Sequence, residues 1–148
     1  MDKSIFAEKA FFSVTASFAA MTDYLSANNY KDGYYTLKER KDRKEVFEFL
    51  QQNGFDASLA FRIISSYLLW DSDSAEALLI PARSLPTLQL KDRPKTEYYF
   101  LNSNYVIFRL HFYDCYQIGD QYSLFIAANR DEEEWFISEW QLFEAVSN

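Results

Sequence analysis

Up to Trp70 the apolar residues recur at three- and four-residue steps, and after it the spacing shortens toward two. Phe11, Val14, Phe18, Met21 and Leu25 form one stripe of an amphipathic helix, predicted over residues 5–27 and closed by Asn28 and Asn29. A second helix is predicted over residues 42–53. Asp42 can accept from the free amides of its first turn, with Glu45 in the capping-box position. Val46, Phe49 and Leu50 make its buried face, and Gly54, free to take positive φ, follows Asn53 at its end. Asp56 caps a third helix, residues 57–70. Its Leu59, Ala60, Ile63, Ile64, Tyr67 and Leu68 leave little polar face and place it in the core. Residues 31–44 read as a polar connector with a short extended piece at 34–37.

Short apolar runs at 77–80 and 85–90, separated by Pro81 and Pro86, suggest edge or irregular strands. Residues 98–101, 105–113, 122–128 and 135–140 read as strands, with turns at 102–104, 117–121 and 129–133. Connections this short join antiparallel neighbours. Residues 142–146 are predicted to add a helical turn. The fold class expected is α+β: three N-terminal helices packed on a C-terminal antiparallel sheet. A chain of 148 residues fits a single domain, 1–148.

Composition sharpens this picture. Aromatic residues make up 19% of the chain, while Gly and Pro total only six, which favours long elements over tight turns. Cys115 is the only cysteine, so neither an internal disulfide nor a cysteine zinc cage is available, and a reducing, cytoplasmic setting is the expectation. Residues 10–21 are too interrupted by Ser and Thr for an export signal, and no run reaches the ~20 apolar residues of a membrane span. The net charge of −7 is concentrated late: residues 101–148 hold eight acids against two bases. That balance argues against binding nucleic acid through its phosphates.

Two constellations could carry function. Alternation along 105–115 places Val106, Phe108, Leu110 and Phe112 on one face. Tyr105, Ile107, Arg109, His111, Tyr113 and Cys115 fall on the other. An enzyme would use His111 as general base and Arg109 as an anion clamp, but no local pattern supplies a nucleophile. A water-facing strand surface explains the same residues. Neither a metal set nor a cofactor motif is present: the three glycines lie far apart, and one His and one Cys are too few ligands.

The second constellation is the acid run Asp131, Glu132, Glu133 and Glu134, which leads directly into Trp135-Phe136-Ile137-Ser138-Glu139-Trp140. Strict alternation puts Trp135, Ile137 and Glu139 on one face and Phe136, Ser138 and Trp140 on the other, so that each face carries a large aromatic. Exposed rings ringed by carboxylates suit a basic protein partner: the rings supply contact area and the acids steer the encounter. A solvated turn, with both faces covered, is the alternative.

The segment EEEWFISEW, residues 132–140, in a small, acidic, aromatic-rich and cysteine-poor α+β chain resembles the bacterial immunity proteins that neutralise contact-dependent and secreted toxins. The resemblance implies a stoichiometric inhibitor, not an enzyme, that covers the active site of a basic, nuclease-like toxin. Asp131, Glu132, Glu133, Glu134, Trp135, Glu139 and Trp140 would then meet the partner. Two alternatives stay open. One is an NTF2-like domain binding or transforming a small ligand around Arg109, His111 and Tyr113. The other is an acidic mimic of nucleic acid, which the clustering of the acids at turns disfavours.

Overall fold

The computed structural model of the chain describes residues 3–25, 27–31, 34–37, 41–70, 77–79, 94–113 and 121–144. In chain order the elements are α1 (Lys3–Tyr24), β1 (Ala27–Lys31), β2 (Tyr34–Leu37), α2 (Arg43–Gln52), α3 (Ala57–Ser66), β3 (Leu68–Trp70), β4 (Ala77–Leu79), β5 (Lys95–Asn102), β6 (Tyr105–Tyr113), β7 (Gln121–Asp131) and β8 (Glu134–Glu144). The fold is α+β, with N-terminal helices and a C-terminal four-stranded antiparallel sheet. No helix among the described residues is long and apolar enough to cross a membrane. The chain divides into two compact units, Met1–Ala16 with Leu88–Asn148, and Ser17–Thr87, with the boundary inside α1.

The first unit is a meander, β5-β6-β7-β8, each strand antiparallel to the next. On β6, Val106, Phe108, Leu110 and Phe112 are all at most 1% exposed, as strict alternation predicts. Leu124, Ile126 and Ala128 of β7 lie opposite Leu110, Phe108 and Val106 and are equally buried. The first turns of α1 cover this face: Ala7, Ala10 and Val14 are buried, and the Phe11 ring sits 5.3 Å from that of Phe108. Burial of each large side chain here contributes about 1.5–3 kcal/mol.

Two sequence expectations change in this unit. β8 continues to Glu144, so residues 142–144 extend a strand and do not begin a helical turn. The cause is a longer β7, whose Leu124, Ser123 and Tyr122 offer ladder partners to Leu142, Phe143 and Glu144. The turn before β8 also shrinks from residues 129–133 to Glu132 and Glu133. The strand expected at 85–90, most of the turn at 117–121, and Cys115 lie outside the described residues.

The second unit contains α2, α3 and a small sheet of order β1-β2-β4-β3. Both helix starts form as the sequence indicates: the Glu45 amide donates to Asp42 Oδ1, and the Leu59 amide to Asp56 Oδ1, each at 2.8 Å. Gly54 closes α2 with φ 91°, and the Phe55 amide donates back to the Leu50 carbonyl at 3.0 Å. Phe55 then packs edge-on against Phe18, centroids 6.0 Å apart. The Tyr24 ring stacks on Phe49 at 3.6 Å and carries the Lys41 ammonium 3.9 Å from its centroid, an arrangement in which Lys41 is only 6% exposed.

Helix ends differ from the spacing rule here. The third helix stops at Ser66 instead of Trp70, because Leu68, Leu69 and Trp70 pair with Leu79, Leu78 and Ala77. The first stops at Tyr24 instead of continuing to residue 27, and Asn28 and Asn29 belong to β1. The extended pieces expected at 34–37 and 77–80 are β2 and β4. Strands of three to five residues are too short to display a period, so a helix stripe running into one reads as continuous helix.

Candidate functional site

Register across the meander assembles the face opposite the α1 contact. Lys95 of β5, His111, Ser123 and Phe143 form one cross-strand row; Glu97, Arg109, Phe125 and Gln141 form the next; Tyr99, Ile107, Ala127 and Glu139 form a third. Side chains in one row stand close enough to interact directly. The rings of Phe125 and Phe143 meet edge to face at 5.3 Å, and Tyr99 and Phe143 remain 50% and 46% exposed.

Arg109 and His111 occupy the middle of this surface, on the face that alternation assigns them. Arg109 Nη1 lies 3.6 Å from Glu97 Oε2, and its guanidinium carbon sits 5.7 Å from the Phe125 ring centroid. Its Nε is buried with no hydrogen-bond partner among the described residues. Glu97 accepts from the Tyr99 hydroxyl at 2.9 Å and from Lys95 across 3.5 Å. The Tyr99 hydrogen bond foremost, with Lys95 and Arg109 nearby, holds the Glu97 carboxyl below its ordinary value. The chemistry the sequence left unpaired appears at His111, whose Nδ1 lies 2.7 Å from Ser123 Oγ. Tyr113 is on the same strand, and its side chain lies outside the described residues.

Glu97, Tyr99, Ser123, Phe125 and Phe143 were not singled out by the sequence. Their place on this surface depends on strand register, and the connection between β6 and β7 hides that register. Once His111 is set opposite Ser123, the period of two delivers the rest.

At the turn end of the sheet, Asp131 pairs with Glu134 and the two-residue turn Glu132-Glu133 joins them; all four acids are exposed. Glu132 takes φ 57°, a left-handed conformation that glycine adopts at least cost. The neighbouring β5–β6 turn is bound to this one. The Arg130 amide donates to the Asn104 carbonyl at 2.8 Å, and Arg130 Nε donates to Asn104 Oδ1 at 3.1 Å. Leu101, 66% exposed, is at the same end.

The tryptophans depart from the alternation reading. Between Ala127 and Ala128 the β7–β8 register slips: Ala127 faces Glu139 and Ala128 faces Ile137, so Ser138 has no opposite residue. This bulge turns Trp140 to the side of Trp135 and Ile137, and the three are 4%, 8% and 1% exposed. Ser138 holds the irregularity by donating to the Ala127 carbonyl at 3.3 Å and accepting from Asn129 Nδ2 at 2.7 Å. Trp135 is further covered by Arg130, whose guanidinium carbon is 5.8 Å from its ring and 4.9 Å from that of Phe6. Both indoles are therefore core, and Glu139 stays exposed on the other side.

Among the described residues no three His, Cys, Asp or Glu side chains gather as a metal-binding group. Comparison of the chain with protein-family models, with curated proteins and with solved structures finds no match.

Proposed function

We propose that this chain is a stoichiometric protein-binding inhibitor of the immunity type, acting by occupancy on a basic partner. The observation that carries the reading is the turn end of the four-stranded sheet. There the carboxylates of Asp131, Glu132, Glu133 and Glu134 stand exposed in a fixed register, and the exposed Leu101 lies at the same end of the sheet. Clustered acids raise the encounter rate with a positive surface, and large apolar side chains supply the contact energy. With Trp135 and Trp140 in the core, the exposed Leu101 takes over at this end the anchoring role that the sequence assigned to the indoles. The acids sit on one turn and not in phosphate-like rows, which favours a protein partner over a nucleic-acid binder.

The test is co-expression with the product of the adjacent gene, followed by measurement of the complex and its rates. Glu133→Lys combined with Glu134→Lys is expected to slow association about tenfold or more at low salt with little change in dissociation. Absence of a complex with a basic neighbouring protein, or a rate constant untouched by the double reversal, would sink the proposal.

One observation favours a second reading, a small-ligand or catalytic site on the same sheet: the 2.7 Å contact of Ser123 Oγ with His111 Nδ1, on the strand that carries Arg109. Turnover abolished by both His111→Ala and Ser123→Ala would select it.

A further inference from the structure

The second unit contains a cleft whose chemistry differs from that of the sheet. It has a volume of about 490 Å³ and is formed by α2, α3 and β3. That is the size range of small-molecule sites. Arg43 and Lys44 from the first turn of α2 line one side, and Phe47 follows one turn later. Phe61 and Ser65 of α3 face them, with Trp70 of β3 closing the end. Among the described residues, the lining thus holds two cations, three aromatic rings and no carboxylate, in a chain of net charge −7.

Among the described residues, the nearby acids have other contacts or pair with these cations only weakly. Asp42 is occupied by the Glu45 amide at 2.8 Å, and Glu45 accepts from the Tyr24 hydroxyl at 3.3 Å. Arg43 makes no ion pair among the described residues; its guanidinium carbon lies 5.3 Å from the Trp70 ring centroid. Lys44 reaches Glu48 only at 4.0 Å, and the two side chains are 86% and 56% exposed, so water screens that pair. Trp70 is fixed in orientation, since its indole N–H donates to the Ile64 carbonyl at 3.1 Å. Phe61 is 66% exposed at the mouth, an apolar ring left uncovered beside positive charge. A flat apolar body fits against the rings, and an anionic group fits against the guanidinium and ammonium.

We infer that this cleft binds a small planar aromatic molecule bearing a carboxylate or phosphate. The ring lies against Phe61 and Trp70, and the anionic group pairs with Arg43 and Lys44. Such a site shares no residue with the acidic turn, and the inference is independent of the inhibitor reading.

The probes are 2-naphthoate, 2-naphthylmethanol as its uncharged counterpart, and inorganic phosphate, titrated into the intact ¹⁵N-labelled chain. The readouts are the Trp70 indole N–H and Arg43 Nε–H signals. 2-Naphthoate is expected to shift both with a dissociation constant of about 1 mM or tighter, an ordinary efficiency for a ligand of its size. The alcohol and phosphate alone are each expected to bind about tenfold more weakly, as is 2-naphthoate to Arg43→Gln or to Phe61→Ser. Both substituted side chains are exposed, and amide spectra establish that the variants remain folded. No saturable shift with 2-naphthoate, equal binding of acid and alcohol, or unchanged affinity in folded Arg43→Gln would overturn the inference.

Discussion

The two units of this chain place similar ingredients to different ends. Residues 17–87 hold eight bases against ten acids, and their charged side chains sit beside aromatic rings: Lys41 on Tyr24, Arg43 on Trp70. The remaining residues hold seven bases against twelve acids, and their sheet keeps Trp135 and Trp140 inside while acids crowd the exposed turn. In one unit the exposed Arg43 lies beside Trp70; in the other, Trp135 and Trp140 are withdrawn while four acids stand exposed at the turn. The two units thus differ in charge, eight bases against ten acids in one and seven against twelve in the other, so the net charge of the whole chain describes neither.

The largest effect that should separate the two is a cavity behind the bulge. Trp140→Ala removes a side chain that is 4% exposed and is expected to cost about 3–5 kcal/mol in a urea titration. A loss below about 1 kcal/mol would return Trp140 to the surface role that alternation gave it. Smaller, and confined to the other unit, is the cost of Gly54→Ala. With φ at 91°, a Cβ there should destabilise the chain by about 1–2 kcal/mol, read from the same titration. An unchanged midpoint would mean that α2 ends without that left-handed residue.

The smallest effect is a titration. Glu97 has a carboxyl held low in the folded chain, so its stabilising contribution is present above its unfolded value and disappears as pH falls through the lower folded value. Tyr99→Phe removes the leading cause and should move the Glu97 carboxyl resonance back toward the ordinary glutamate range in an NMR pH series. A titration identical in the two proteins would remove Tyr99 from the account.

How far the sequence foretells each part follows from element length. β6 appears where alternation over residues 105–113 places it, because nine residues repeat a period of two often enough to be read. Asp42, Gly54 and Asp56 perform the capping roles their chemistry suggests, since caps depend on local geometry alone. β3, with only Leu68, Leu69 and Trp70, continues the apolar character of α3 and gives no local sign that the helix has ended. The candidate sites are less legible for a different reason. Ser123 meets His111 through pairing of two strands, and the cleft joins three separate elements, so neither leaves a spacing in the chain. The bulge did leave one: buried residues at 135, 137 and 140 break the period of two by a single step. Strict alternation passes over that step and assigns Trp140 to the wrong face.

Ser138 has a further consequence, for the assembly of copies. β8 is the last strand of its sheet, eleven residues long, and among the described residues one of its two backbone edges has no strand partner. A regular edge of that length is a template on which another molecule's strand can grow the sheet without limit. An unpaired residue in its middle interrupts the repeat of donors and acceptors, so an incoming strand in step with one half of β8 falls out of step with the other. The irregularity that turns Trp140 toward the core thus also breaks the regularity on which edge-to-edge growth of a sheet depends.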